Sequence, residues 1–115
     1  MVKHRADAEA ALNALADPTR RQLVTRLGRG DTTVSELAAE LPISLPGTLK
    51  HLRVLEGAGV ITMTKHGRTV TCRLVPEGIE AAELWLQEIR SFWQRRLGDL
   101  ADHFATRTTE TEEQT

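Results

Sequence analysis

Apolar residues recur along the middle of the chain at helical spacing. Val34, Leu37, Ala38 and Leu41 fall three and four apart, and Thr48, Leu52, Leu55 and Ala58 repeat the pattern after a short break, which predicts two amphipathic helices. Local signals bound both. Thr33 and Glu36 form a T-x-x-E capping box that opens the first helix, and Pro42 stops it near Leu41. Ser44 caps the second helix, Pro46 sits in its first turn where a missing N–H costs nothing, and Gly59 supplies a left-handed stop. Two short helices joined by a tight turn form a helix-turn-helix. Opposite its apolar stripe the second helix carries Leu45, Leu49, Lys50 and Arg53, a small cationic surface that fits a DNA major groove.

The flanking segments extend this plan. Residues 6–15 predict a helix with Ala8, Ala11, Leu12 and Leu15 on one stripe, small enough for close packing on a partner subunit. Asp17 caps a helix that takes Pro18 at its first position, turns Leu23, Val24 and Leu27 inward and ends at Gly28. Arg20 and Arg21 fall on its outer side, as solvated groups or in salt bridges rather than on DNA. Residues 61–64 and 69–74 alternate β-branched with polar side chains around Lys65-His66-Gly67-Arg68, which predicts a two-stranded hairpin. At its tip Lys65, His66 and Arg68 can enter the minor groove or neutralise phosphate; the plainer alternative is a turn made soluble by charge.

Residues 76–104 predict one long helix, with Ala82, Leu86, Ile89, Trp93, Leu97, Leu100 and Phe104 on a stripe widened by Trp85 and Phe92. That stripe exceeds what a small helical core can cover, so its surplus is expected against the same helix of a second copy. Residues 105–115, rich in Thr and Glu, predict a disordered acidic tail.

At 115 residues and 40% hydrophobic content, the chain can bury about two-thirds of its unfolded surface, which suits one domain over residues 6–104. No apolar run approaches the ~18 residues that span a bilayer, and Met1-Val2-Lys3-His4-Arg5 leads into a polar stretch rather than a signal core. A cytoplasmic protein without a membrane partner is expected. Cys72 is the sole cysteine, so no intramolecular disulfide forms. Net charge is −1, but residues 1–73 are net +4 and residues 74–115 net −5. Such asymmetry suits a DNA-binding half joined to one with another task, although a dispersed solvated surface gives the same totals.

Three stretches in this order carry a family resemblance: Leu15-Ala16-Asp17-Pro18-Thr19-Arg20-Arg21, the K-H-L-R-V-L-E-x-A-G run from Lys50 to Gly59, and the Gly67-Arg68 turn followed by a strand. Together they resemble the ArsR group of winged-helix bacterial repressors over roughly residues 8–104. The resemblance implies a mainly α fold with a two-stranded β-hairpin, a winged helix-turn-helix whose N- and C-terminal helices form a dimer interface. It also implies a homodimeric regulator of a double-stranded DNA operator, usually a repressor released by an effector. The expected DNA-binding residues are Ser44, Leu45, Leu49, Lys50, His51, Arg53, Lys65, His66 and Arg68. The expected dimerisation residues are Leu12, Leu86, Ile89, Trp93, Leu97 and Leu100.

The chain departs from the family pattern in several places. Gly47, Thr48 and Leu49 replace more usual residues at the start of the recognition helix, so the operator cannot be borrowed from relatives. Family members that sense metal carry thiolates on the first helix of the helix-turn-helix, where this chain has Thr33, or Asp and His pairs on the last helix, where it offers Asp99 and His103. Neither set is complete, and no metal or other cofactor is expected. No Gly-rich phosphate loop, Cys/His motif or serine elbow is visible, so catalysis is not expected. Cys72 on the second wing strand reads as a small buried hydrophobe, a thiol sensor only if exposed with a lowered pKa. The reading is therefore a dimeric ArsR-type repressor. Its alternative is a helix-turn-helix-derived protein-interaction module that has lost DNA binding and works through its long terminal helix.

Overall fold

Side-chain caps set three of the helix starts. In the computed structural model, which describes residues 2–114 and their side chains over 7–105, the chain runs α1 (Val2–Leu15), α2 (Pro18–Leu27), β1 (Thr32–Thr33), α3 (Val34–Glu40), α4 (Leu45–Gly57), β2 (Ile61–His66), β3 (Thr69–Leu74) and α5 (Pro76–Gln114). Asp17 accepts the Arg20 amide at 3.1 Å, Thr33 the Glu36 amide at 3.1 Å and Ser44 the Gly47 amide at 3.1 Å, each satisfying a donor with no partner inside its helix. The Glu36 carboxylate completes its box by accepting from the Thr32 hydroxyl and the Thr33 amide. Gly59, at φ +77°, lies just beyond α4 in the left-handed region that L side chains avoid.

The chain divides into two compact units at Glu83 and Leu84. The first unit holds the core. Leu23 and Leu27 of α2, Val34 and Leu37 of α3, and Leu52 and Leu55 of α4 meet Val60, Ile61 and Cys72, with Ala11 and Ala14 of α1 and Ala82 of α5 closing the cluster. Thr48 is buried among them without cost, because its hydroxyl donates to the Ser44 carbonyl at 2.9 Å. Ala8, Ala11 and Ala14 form the buried stripe of α1, while Leu12 and Leu15 are half-buried at its flank.

The sheet contains the expected two-stranded hairpin, β2 and β3, and adds a third strand to it. Its order is β1-β3-β2, all antiparallel, with Thr32 opposite Cys72 and Thr33 opposite Thr71. Two residues are too few to show a period of two in sequence, and both also serve the cap of α3. The first wing strand is longer than expected at the tip, since Lys65 pairs with Val70 and His66 with Thr69, while the second keeps the expected bounds. Only Gly67 and Arg68 remain in the turn, and Gly67 supplies the positive φ, +62°, that a two-residue turn of this kind uses at its first position.

In the second unit α5 is assigned on to Gln114, past Phe104 where the sequence reading ends the helix. The disordered tail expected for residues 105–115 falls, apart from Ala105, on side chains outside the described residues.

The first turn of α5 is seated on backbone. A Cβ placed on Gly78 would lie inside contact distance of the Gly59 carbonyl oxygen, 2.8 Å from its carbon and 3.1 Å from the Val60 Cα. Here glycine is needed for close approach, and Val75 donates its amide to the Val60 carbonyl at 2.8 Å alongside. Gly78→Ala is expected to lower the urea midpoint by the equivalent of about 1–3 kcal/mol, since the clash is with backbone that cannot rotate aside. Gly57→Ala, with no atom within 4 Å of the added Cβ, should instead raise it by about 0.5–1 kcal/mol. Equal midpoints for the two variants would refute the seating.

Candidate nucleic-acid interface

The buried and exposed faces of α4 are cleanly separated. Thr48, Leu52 and Leu55 are fully buried, whereas Leu45 is 52% and Val54 42% exposed and Lys50 and Arg53 point to solvent. Pro46, Leu49, Lys50, Arg53 and Val54 line a shallow hollow of about 450 Å³ on this outward face. Leu49 is half-buried, its inner side packed on the core. Sequence reasoning left out Pro46 and Val54, although Val54 follows Lys50 by one helical turn and so had to share its face. Gly47 has a local role: a Cβ there would stand 2.9 Å from the Ser44 hydroxyl that caps α4. Ser44 is thus engaged as a cap, with its side chain at the exposed start of the helix.

His51 faces away from this hollow, into the seam with α1 and α2. Its Nδ1 lies 3.3 Å from Arg20 Nη1, and Arg20 also donates through Nε to the Ala14 carbonyl and through Nη2 to the Asn13 carbonyl at 3.5 Å. Arg21 donates to the Leu15 and Ala16 carbonyls at 3.0 and 3.1 Å. The expectation of a solvated or salt-bridged group is therefore corrected for the half-buried Arg20, whereas Arg21 remains exposed. Both cap the carbonyl end of α1, where a cation complements the helix dipole, and Arg20 ties that end to α4. The only hint in sequence was their place directly after a short break. The Asp17 carboxyl is held below its ordinary range, chiefly by the Arg20 amide and then by the Arg20 charge.

At the wing Lys65, His66 and Arg68 are all exposed, but they do not form one cluster. Pairing alternation puts Lys65 on the face of Met63, Val70 and Cys72, and His66 on the opposite face with Thr62, Thr64, Thr71 and Arg73. Arg68 occupies the turn. Arg73 pairs with Asp31 at 3.0 Å, and Arg26 with Glu40 at 2.6 Å. Among the described residues the side chains of Lys50, Arg53, Lys65 and Arg68 make no hydrogen bond or ion pair, which leaves their charge available to an anion. Cys72 is fully buried, and burial pushes its thiol up to about 11, against what a sensor thiol requires.

In the second unit Leu86, Trp93, Leu97 and Leu100 are between 49% and 59% exposed, and Ile89 is half-buried. Phe92 meets Trp93 edge to face at 5.9 Å and carries the Arg96 guanidinium 5.1 Å above its ring. Leu12, grouped with them from sequence, packs on the core of the first unit. Among the described residues no three His, Cys, Asp or Glu side chains group as metal ligands, and no helix is long and apolar enough to cross a membrane.

A recognition helix presented beside a β wing defines a winged helix-turn-helix regulator, and comparison with known proteins agrees. A helix-turn-helix domain family matches residues 15–64. The chain is 38% identical over 89 residues to the HTH-type transcriptional regulator Rv2034 of Mycobacterium tuberculosis, covering 77% of this chain and 80% of that protein. It is 32% identical over 73 residues to the transcriptional repressor SdpR of Bacillus subtilis, covering 64% and 81%. A crystal structure of an ArsR family transcriptional regulator superposes with a TM-score of 0.71 at 43% identity, covering 76% of this chain and 91% of that one. The chain belongs to the ArsR family of winged helix-turn-helix transcriptional regulators.

The caps give this scaffold an acid limit. Asp17 and Glu36 both have carboxyls held below their ordinary values of 3.8 and 4.5, Glu36 chiefly by the Thr32 hydroxyl. A lowered folded-state pKa stabilises fully above the unfolded value and is lost as pH falls through the folded one. Stability should therefore be flat near neutrality and fall once pH drops below about 4. Asp17→Asn keeps a cap acceptor and removes the charge, so its urea midpoint should lie below wild type near neutrality, fall less steeply in acid and converge with wild type there. An unchanged acid slope would refute the contribution of this cap.

Proposed function

We propose that the chain is a homodimeric, sequence-specific repressor that binds a double-stranded DNA operator in the cytoplasm. The observation that carries the reading is the outward face of α4, where Lys50 and Arg53 stand unpaired around an accessible hollow while the opposite face is locked into the core. A helix offered in this way fits a major groove, and Arg68 at the wing turn fits a neighbouring phosphate or minor groove. Ser44, Leu45 and Leu49 complete the face on α4, and Lys65 and His66 flank the wing on opposite sides. His51 contributes by position, holding α4 to Arg20, more than by contact.

Dimerisation is supported by the apolar surface of α5. Trp93, Leu97 and Leu100 expose more area than an isolated helix keeps in water without a partner, and a second copy of the same helix supplies a self-complementary cover. Two recognition helices then address half-sites about one helical turn, ~34 Å, or a multiple apart. Repression is the role named for the Bacillus relative. Release by an effector remains part of the proposal, and the effector would be other than a thiolate-bound metal.

Two measurements test the reading. Trp93→Ala should shift sedimentation from dimer toward monomer at micromolar concentration; a fully dimeric variant would refute the α5 interface. Arg68→Ala should weaken selected and random DNA alike and flatten the slope of log K against log salt by about one unit per lost phosphate contact, so about two for a dimer. Intact affinity and slope would refute the wing contact, and a wild-type protein that binds no DNA would favour the protein-interaction module instead.

A further inference from the structure

We infer that α4 reads thymine 5-methyl groups through Leu45, Leu49 and Val54, leaving Lys50 and Arg53 for guanine and phosphate, so that each operator half-site carries thymines beside guanine. The inference rests on the DNA-binding reading above and specifies its bases. Six residues form the outward face over the first three turns of α4: Leu45, Pro46, Leu49, Lys50, Arg53 and Val54. Four are apolar and two are cations. None can make the paired contact to adenine N6 and N7 that Asn or Gln makes, and none can accept from cytosine N4 as a carboxylate does. Glu56, further along near the end of α4, is exposed and lies outside the hollow, and its charge acts on the buried Cys72 thiol. With the Ser44 oxygen taken up in capping α4, the side-chain donors on this face are the two cations, and guanine, whose O6 and N7 accept together, is the base they match best.

The remaining surface has one matching feature in a major groove. The thymine 5-methyl is the apolar group that base edges display there, and aliphatic side chains contact it. Leu45 and Val54 are exposed at 52% and 42% while the core side of the same helix is completely buried, so their exposure is not left over from poor packing. Val54 lines the hollow together with Lys50 and Arg53, the two cations that would anchor the helix on phosphates, and Leu45 stands at the start of the same helix. Docking by those cations places the aliphatic groups against base edges, and burying them there removes apolar surface from water on both sides.

The experiment uses the full chain and synthetic DNA. Sites are first selected from a random double-stranded pool, and each thymine of the recovered site is then replaced in turn by deoxyuridine, which keeps every hydrogen-bonding group and lacks only the methyl. At least one replacement per half-site is expected to weaken wild-type binding about fourfold, the worth of one buried methyl, and about sixteenfold when made in both half-sites. Leu45→Ala and Val54→Ala, whose side chains are exposed, and Leu49→Ala should each lose the thymine preference at one position while keeping the salt slope of wild type. Tight binding with no loss at any deoxyuridine overturns the thymine inference and leaves DNA binding intact. A methyl effect that survives in all three variants also overturns it, because the methyl is then read elsewhere. Failure to select any DNA overturns both readings.

Discussion

The burial of Leu52 and Leu55 beneath α4 is the constraint from which the rest of the molecule follows. Both side chains are fully buried against α2, α3 and the sheet, so the helix has one rotational setting. Turning it by a single residue would drive Arg53 toward the core, where an unpaired charge is far too costly to hold. The outward direction of Lys50 and Arg53 is thus decided by hydrocarbon on the other side of the helix. Ser44 and Gly47 determine where the helix starts, and Gly59 where it stops, so its axial position is settled as well as its rotation. Arg20 adds the third restraint by joining the end of α1 to His51.

The wing inherits its position from the same core. Val60 and Ile61 enter it directly after α4, and Cys72 fills it from the paired strand. The hairpin between these anchors is short and closed by a two-residue turn, which limits how far Arg68 can wander from α4. Its surface ion pairs contribute little by comparison, because Arg73 and Asp31 are both substantially exposed.

Much of this was legible in the sequence because the deciding signals are local. Caps at Asp17, Thr33 and Ser44 announce themselves by residue type beside an apolar period, and all three make the expected bond to the amide three residues on. The outward face of α4 follows from the same period. What escaped depends on partners distant in sequence or on segments too short to show a pattern. β1 is two residues long, and Gly78 has meaning only against Gly59. Lys65 and His66 read as turn residues because the polar end of an exposed strand lacks apolar alternation. Arg20 looked like a surface charge because its acceptors are backbone carbonyls, which every residue possesses. The residues expected at DNA and at the dimer lie on α4 and its cap, on the wing and along α5, except Leu12, which packs on the core from α1, and their roles belong to the proposal.

Cys72 turns the sheet into its own gauge. The sulfur sits where Thr32, Met63 and the core enclose it, and its thiol ionises only near 11. An alkylating reagent can reach it only when the strands part, and an added oxygen would find no room and no aqueous shell in the closed state. The rate at which this thiol is modified therefore reports the free energy of local opening between the strands. A chain with a single cysteine needs no engineered label for that measurement, and DNA bound to the wing should slow the reaction by as much as it holds the sheet shut.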